Sequence, residues 1–170
     1  MALIEKLRLG GHWDYAVFSS DTDSSEFAPF SSIKDLWDRK RGSRQLPAWK
    51  DFSLRDFEGW YGWLTVEDIV SDSPYEATYR LWGSMWTNVW GFDHTGRKYS
   101  DLLAMAVPEE NVAFWGQLCR TTNIALGRNT LSWLEGQHQL FKKEYLNLVL
   151  PLSDNGETPD KYLTVLSLET

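Results

Sequence analysis

Residues 75–101, YEATYRLWGSMWTNVWGFDHTGRKYSD, are the stretch that most strongly constrains the fold. Alternation at its start predicts a strand with Tyr75, Ala77, Tyr79 and Leu81 on one face and Thr78, Arg80 and Trp82 on the other. Gly83 should end this strand. Ser84 can then cap a short helix that carries Met85, Trp86 and Val89, and Gly91 should end it. A polar D-x-T-G turn follows at residues 93–96.

Two segments of this stretch resemble a known signature. Arg80-Leu81-Trp82-Gly83 and the later Gly91-Phe92-Asp93-His94-Thr95-Gly96-Arg97 are similar to the YRLxG…GxDxTG pattern of a bacterial PAS-like domain family, the PAS_5 type. Residues 44–48, RQLPA, resemble the R-x-L-P segment of that family, and residues 150–153, LPLS, resemble its closing hairpin. The resemblance extends over roughly residues 31–168. It implies a PAS-like α+β fold, with a five-stranded antiparallel sheet and helices packed on one face.

Length and composition indicate one globular domain. We expect residues 1–30 to form an N-terminal extension, with a helical turn over residues 3–9 and a mobile acidic loop over residues 19–26, and residues 31–170 to form the domain. The net charge of −7 argues against binding to nucleic acid or to an anionic membrane. Cys119 is the single cysteine of the chain, so a reducing cytoplasmic location is the simplest expectation.

The remaining elements follow from periodicity and capping signals. We predict a helix over residues 31–41, a strand over 64–70 and a long helix that begins at Pro108 and ends at Gly127. Three strands should follow at 130–141, 143–151 and 161–168. This order of two strands, helices and three strands is typical of an α+β fold with an antiparallel sheet.

Basic residues crowd the end of the first predicted helix, at Arg39, Lys40, Arg41 and Arg44. The simpler interpretation is a favourable interaction with the C-terminus of the helix. The alternative is a docking patch for an acidic partner or a nucleotide phosphate.

No catalytic set is evident in the sequence. His12, His94 and His138 have no metal-ligand spacing, although folding could bring them together. His94 is the one candidate haem ligand, and a solvated turn histidine is the simpler interpretation. Residues 127–130, GRNT, have a threonine where a flavin photosensor needs its reactive cysteine, and Cys119 falls in a helical apolar stripe.

The resemblance implies a non-catalytic sensory or signalling domain that binds a small ligand and relays its state to a separate protein, with a homodimer also possible. No particular cofactor is implied, and a haem or another small ligand is open. The expected ligand-binding residues are Tyr79, Leu81, Trp82, Met85, Trp86, Trp90, Trp115, Trp133 and Leu148. Each of them has an alternative interpretation as plain core packing. The alternative function is a protein–protein interaction module with a filled core and no ligand.

Overall fold

The computed structural model describes residues 3–9, 13–103, 109–130 and 144–168. Within these ranges the fold is α+β, with one antiparallel sheet of seven strands and four helices. The strands are β1 (Leu3–Leu9), β2 (Trp13–Phe18), β3 (Leu64–Asp72), β4 (Tyr75–Trp82), β5 (Ile124–Thr130), β6 (Glu144–Leu152) and β7 (Lys161–Ser167). The helices are α1 (Ser31–Arg41), α2 (Ser84–Trp90), α3 (Tyr99–Leu103) and α4 (Glu110–Leu118).

The strands lie in the order β1-β2-β5-β6-β7-β3-β4. The predicted sequence order of two strands, helices and three strands is confirmed by β3 to β7. The prediction of five strands is wrong, because β1 and β2 extend the sheet beside β5. The helical turn predicted for residues 3–9 is also wrong. Its residues alternate with the period of a strand, and pairing with β2 satisfies the backbone groups on one side of it.

Helices cover both faces of the sheet, so the prediction that they pack on one face is wrong. Successive residues of the inner strands enter opposite cores: Leu163 and Val165 of β7 pack beneath α1, whereas Tyr162 and Leu166 face α2 and α4. A strand that is apolar on both sides must be covered on both sides. We call these two layers the α1 core and the aromatic core.

Helix α1 spans the predicted residues and anchors the α1 core. Its residues Ile33, Leu36 and Trp37 are buried, and the Nε1 of Trp37 donates a hydrogen bond of 2.9 Å to the carbonyl oxygen of Pro151. Three of the four basic residues at its end are engaged within the chain, through ion pairs Lys40–Asp56, Arg41–Asp21 and Arg44–Asp51. These contacts favour an intramolecular role for the cluster over a docking patch.

The long helix predicted from Pro108 to Gly127 is wrong at its C-terminal end. Helix α4 ends at Leu118, and residues 124–130 form β5. Gly127 is opposite Tyr15 on β2 and Asn147 on β6 and ends no helix. The side-chain spacing at 119–126 matched a helical stripe, but pairing with two neighbouring strands stabilises an extended chain there. Strands β6 and β7 confirm the last two of the three strands predicted after residue 127. In the first of those three, 130–141, residues 131–141 lie outside the described residues.

Candidate functional site

A cavity of about 60 Å³ lies in the aromatic core, between the sheet and helices α2, α3 and α4. Its described lining consists of Tyr15, Thr65, Glu67, Tyr79, Trp82, Trp86, Trp90, Tyr99, Leu102, Asn111, Trp115, Tyr145, Asn147, Val149 and Thr164. One water needs about 10–15 Å³ by this measure, so the space admits roughly four to six non-hydrogen atoms. The cavity is therefore suited to a small molecule or a few waters.

The register of the sheet places Glu67 in this layer. Glu67 on β3 is opposite Tyr79 on β4 and opposite Tyr162 on β7. Residues paired in register point to the same face, so the carboxyl group is flanked by two aromatic side chains. Thr65, two residues earlier on β3, is placed in the same way between Trp82 and Thr164.

A β-bulge brings Trp82 to the cavity. Between the pairs Val66–Leu81 and Glu67–Tyr79, strand β4 contains one extra residue, Arg80. The bulge shifts the alternation, so that Tyr79 and Trp82 share the aromatic core while Leu81 turns to the opposite face. The strict alternation predicted for residues 75–82 is therefore wrong after Tyr79.

Helix α2 holds two more tryptophans against the cavity. It begins after Gly83 and ends at Gly91, whose φ of 88° is in the left-handed region. The Nε1 of Trp86 donates a hydrogen bond of 2.8 Å to the carbonyl oxygen of Trp63. A Cβ at Gly83 would meet the backbone oxygens of Gly62 and Leu64, so only glycine allows this close approach.

A pair of buried amides on β5 and β6 adjoins the cavity, and one of the two lines it. Asn129 Nδ2 donates a hydrogen bond of 3.0 Å to Asn147 Oδ1, and Asn147 lines the cavity together with Tyr15. Gly127 lies between Asn147 and Tyr15 in the register, and a Cβ there would stand 2.8 Å from the Tyr15 ring and closer still to the amide. Because residue 127 has no side chain, the Tyr15 ring and the Asn147 amide can occupy the space beside it.

Glu67 is the most perturbed acid of the site. Burial raises its pKa from 4.5 to about 8, and the nearby Tyr75 side chain opposes this increase only partly. Burial also raises the pKa values of Tyr15, Tyr79, Tyr99 and Tyr145 above the ordinary tyrosine value. These four phenols stay neutral at physiological pH.

Several buried polar atoms of the lining have no hydrogen-bond partner among the described residues. They are Glu67 Oε2, Asn111 Oδ1, the Nε1 of Trp82 and the hydroxyl oxygen of Tyr99. A buried polar atom without a partner costs about 1–3 kcal/mol. These atoms mark the cavity as a place where a polar occupant would gain hydrogen bonds.

The structure brings together five of the nine residues expected at a ligand site. Tyr79, Trp82, Trp86, Trp90 and Trp115 line the cavity. Met85 packs partly buried against the same core without lining the cavity, Leu81 is 38% exposed on the other face, and Leu148 belongs to the α1 core. Trp133 lies outside the described residues.

Sequence reasoning missed the polar lining residues Glu67, Asn111 and Asn147. For Glu67 a signal was present, since an acid alternates with aliphatic residues in the predicted strand 64–70. From the sequence we considered Glu67 only together with Asp68, as adjacent acids that point to opposite faces of a strand and so form no catalytic pair.

His94 is not the solvated turn histidine that we predicted, because it is only 1% exposed. Its ring packs against Tyr79, Trp82 and Phe92, and Nε2 lies 3.0 Å from the carbonyl oxygen of Lys98. His94 is absent from the described lining of the cavity. The cavity volume of about 60 Å³ is far below the roughly 300 Å³ at which ordinary ligand pockets begin. The residues present do not fit a haem.

The described residues contain neither a metal-binding cluster nor a helix that could span a membrane. No three His, Cys, Asp or Glu residues among them cluster in a way that could hold a metal ion. None of the described helices combines the length and the hydropathy needed to cross a membrane. Comparisons with protein-family models, with curated proteins and with solved structures gave no significant match.

Proposed function

We propose that this chain is a non-catalytic sensory domain that binds a small ligand in the cavity of the aromatic core and relays its occupancy to a separate protein. The observation that supports this proposal is the cavity itself, whose aromatic walls include polar atoms without protein partners. Aromatic walls with a few polar groups are the usual composition of small-molecule sites. The PAS-like signature, whose residues contribute Tyr79 and Trp82 to the lining, agrees with this function.

A route for the relay follows from the elements around the cavity. An occupant would touch Trp86 and Trp90 of α2, Tyr99 of α3 and Trp115 of α4 as well as the sheet. A ligand that favours one position of these helices shifts the population toward it. A partner protein that contacts the helices would then respond to occupancy.

The test is a titration of the ¹⁵N-labelled protein with fragments of up to about six non-hydrogen atoms, including neutral, cationic and anionic compounds. The tryptophan indole N–H signals are assigned by single Trp→Phe variants. At least one fragment should shift the signals of Trp82, Trp86, Trp90 or Trp115 saturably. Trp37 and Trp49 pack in the α1 core and are the internal controls. If no fragment shifts the cavity signals, or if the control signals move as much, the proposal is wrong.

The second candidate is a protein–protein interaction module. Strand β1 is one edge of the sheet, and its residues Leu3 and Ile4 are 39% and 56% exposed. An unpaired edge with apolar side chains can accept another strand. This function predicts that no fragment shifts the cavity tryptophans, so the same titration distinguishes the two candidates.

A further inference from the structure

We propose that the cavity selects a small protonated amine, whose ammonium group pairs with the Glu67 carboxylate and packs against the aromatic rings. This inference rests on the proposed function and names the chemical class of its ligand. It depends on the charges of the lining, the hydrogen-bonding atoms left without partners and the size of the space.

The first argument is the sign of the charge. Glu67 is the one carboxylic acid of the described lining, and that lining contains no lysine, arginine or histidine. The acid is 7% exposed and has no ion pair within the described residues. A buried carboxylate without a cation is unfavourable, and a cationic ligand would supply the missing partner.

The second argument is the character of the walls. Four tryptophans, Trp82, Trp86, Trp90 and Trp115, line the same space as Glu67. Aromatic rings attract ammonium groups by about 0.5–2 kcal/mol each, and tryptophan is the strongest of them. An anion would meet the negative faces of these rings, and above about pH 8 the ionised Glu67 would repel it as well.

The third argument is the hydrogen-bonding pattern. Glu67 Oε2 and Asn111 Oδ1 are acceptors without partners among the described residues, and an ammonium group offers two or three N–H donors. A quaternary ammonium group has no such donor and would leave both oxygens unpaired. The Trp82 Nε1 donor would be satisfied by an oxygen of the same ligand or by a water.

Binding of an amine must be linked to pH. Burial keeps Glu67 protonated below about pH 8, so an amine that binds near neutrality displaces one proton from it. The titratable groups that interact electrostatically with Glu67 are Tyr15, Tyr75, Tyr79, Tyr99, Tyr162 and Cys119. All of them have raised pKa values and stay neutral between pH 6 and 8. Affinity for an amine should therefore rise about tenfold per pH unit from 6 to 8 and then level off.

The experiment is calorimetric and NMR titration of the whole chain with ethylammonium chloride, ethanol and sodium acetate from pH 6 to 8.5. Ethylammonium should bind more tightly than ethanol, acetate should not bind, and calorimetry in buffers of different ionisation enthalpy should detect the release of one proton. Glu67→Gln should weaken ethylammonium binding by at least about tenfold. Asp68→Asn is the matched control, because Asp68 is the neighbouring acid, does not line the cavity and pairs with Arg80 and Lys161.

The outcomes separate this inference from the proposed function. If ethanol or acetate binds as tightly as ethylammonium, or if ethylammonium binds without pH dependence, the cavity binds ligands but is not an amine site. If Glu67→Gln is folded and binds ethylammonium unchanged, the inference is also wrong. If none of the three probes, nor any fragment of the wider panel, shifts the cavity tryptophans, both proposals fail. The pH series uses the wild-type protein, so it decides the question even if Glu67→Gln does not fold.

Discussion

Glu67 and Tyr162 are register partners across strands β3 and β7, and both side chains lie buried in the aromatic core. An acid in such a place is normally neutral, since burial disfavours its charged form. The relationship connects the stability of the fold to pH, because Glu67 loses its proton near pH 8 in the folded protein and near 4.5 when unfolded.

The first prediction concerns this linkage. Between pH 4.5 and about 8 the folded protein binds one more proton at Glu67 than the unfolded chain does. The contribution of Glu67 to the free energy of unfolding is fully present below pH 4.5 and should fall by about 1.4 kcal/mol per pH unit above it, levelling off near pH 8. Urea unfolding at several pH values should show a flatter profile for Glu67→Gln than for Asp68→Asn. Equal slopes in the two variants would contradict the pKa shift of Glu67.

The second prediction concerns the hydroxyl group of Tyr162. This oxygen is buried and has no hydrogen-bond partner among the described residues. Removing an unpaired buried hydroxyl relieves its desolvation cost, so Tyr162→Phe should be neutral or stabilise the fold by up to about 1 kcal/mol. Tyr162→Ala should cost about 3–5 kcal/mol because it removes the ring. Thermal or chemical unfolding measures both, and a loss above about 1 kcal/mol for Tyr162→Phe would reveal a partner for the hydroxyl group.

The third prediction concerns Gly83, before helix α2. A Cβ at this position would meet the backbone oxygens of Gly62 and Leu64, which cannot move aside like a flexible side chain. Gly83→Ala should therefore cost about 2–3 kcal/mol and shift the indole signal of Trp86. Gly96→Ala is the control: its φ is +78° but its surroundings are open, so strain alone should cost about 1 kcal/mol. If Gly83→Ala leaves the Trp86 signal unchanged, this contact does not position α2.

The fourth prediction concerns the buried lysine of α1. Lys34 Nζ lies 2.7 Å from Asp38 Oδ2, and the Lys34 side chain is 1% exposed. Asp38→Asn leaves this cation without its partner and should cost about 2–3 kcal/mol, less than a fully buried pair because Asp38 is 35% exposed. Lys34→Met should change stability by less than about 1 kcal/mol, since Asp38 keeps its contact with Arg41. If Asp38→Asn and Lys34→Met lower the free energy of unfolding equally, the prediction that an unpaired buried lysine costs more than its removal is wrong.

Local signals in the sequence were sufficient for α1, α2 and the strands β3, β4, β6 and β7. Gly91 and the apolar spacing of residues 31–41 act within a few residues, so they can be interpreted without knowing the fold. The predicted cap by Ser84 is wrong, because Gly83 is the N-cap of α2 and no side chain caps it. The strands β1 and β5 depend instead on pairing between segments that are distant in the sequence. Residues 3–9 and 124–130 pair with β2, which lies between them in the sheet. The alternation within residues 3–9 is compatible with a strand, but it does not reveal which strand lies beside it.

The candidate site was predictable in part for the same reason. The aromatic residues of 75–101 were visible as a group, and five of the predicted residues line the cavity. The bulge at Arg80, which turns Leu81 away, depends on how β4 aligns with β3 and has no signature in the sequence. Glu67 becomes a site residue only because Tyr79 and Tyr162, 12 and 95 positions further along the chain, are placed on either side of it.

The hairpin β1–β2 has a consequence for any shortened version of this protein. Tyr15 of β2 forms part of the cavity wall and stacks on Phe114 of α4 with ring centroids 4.7 Å apart. Removing residues 3–18 would open that wall, leave Phe114 without its stacking partner and turn β5 into an unprotected edge. A fragment that starts at residue 31 lacks both β1 and β2, so we expect it to expose part of the aromatic core and to aggregate through the unpaired edge of β5.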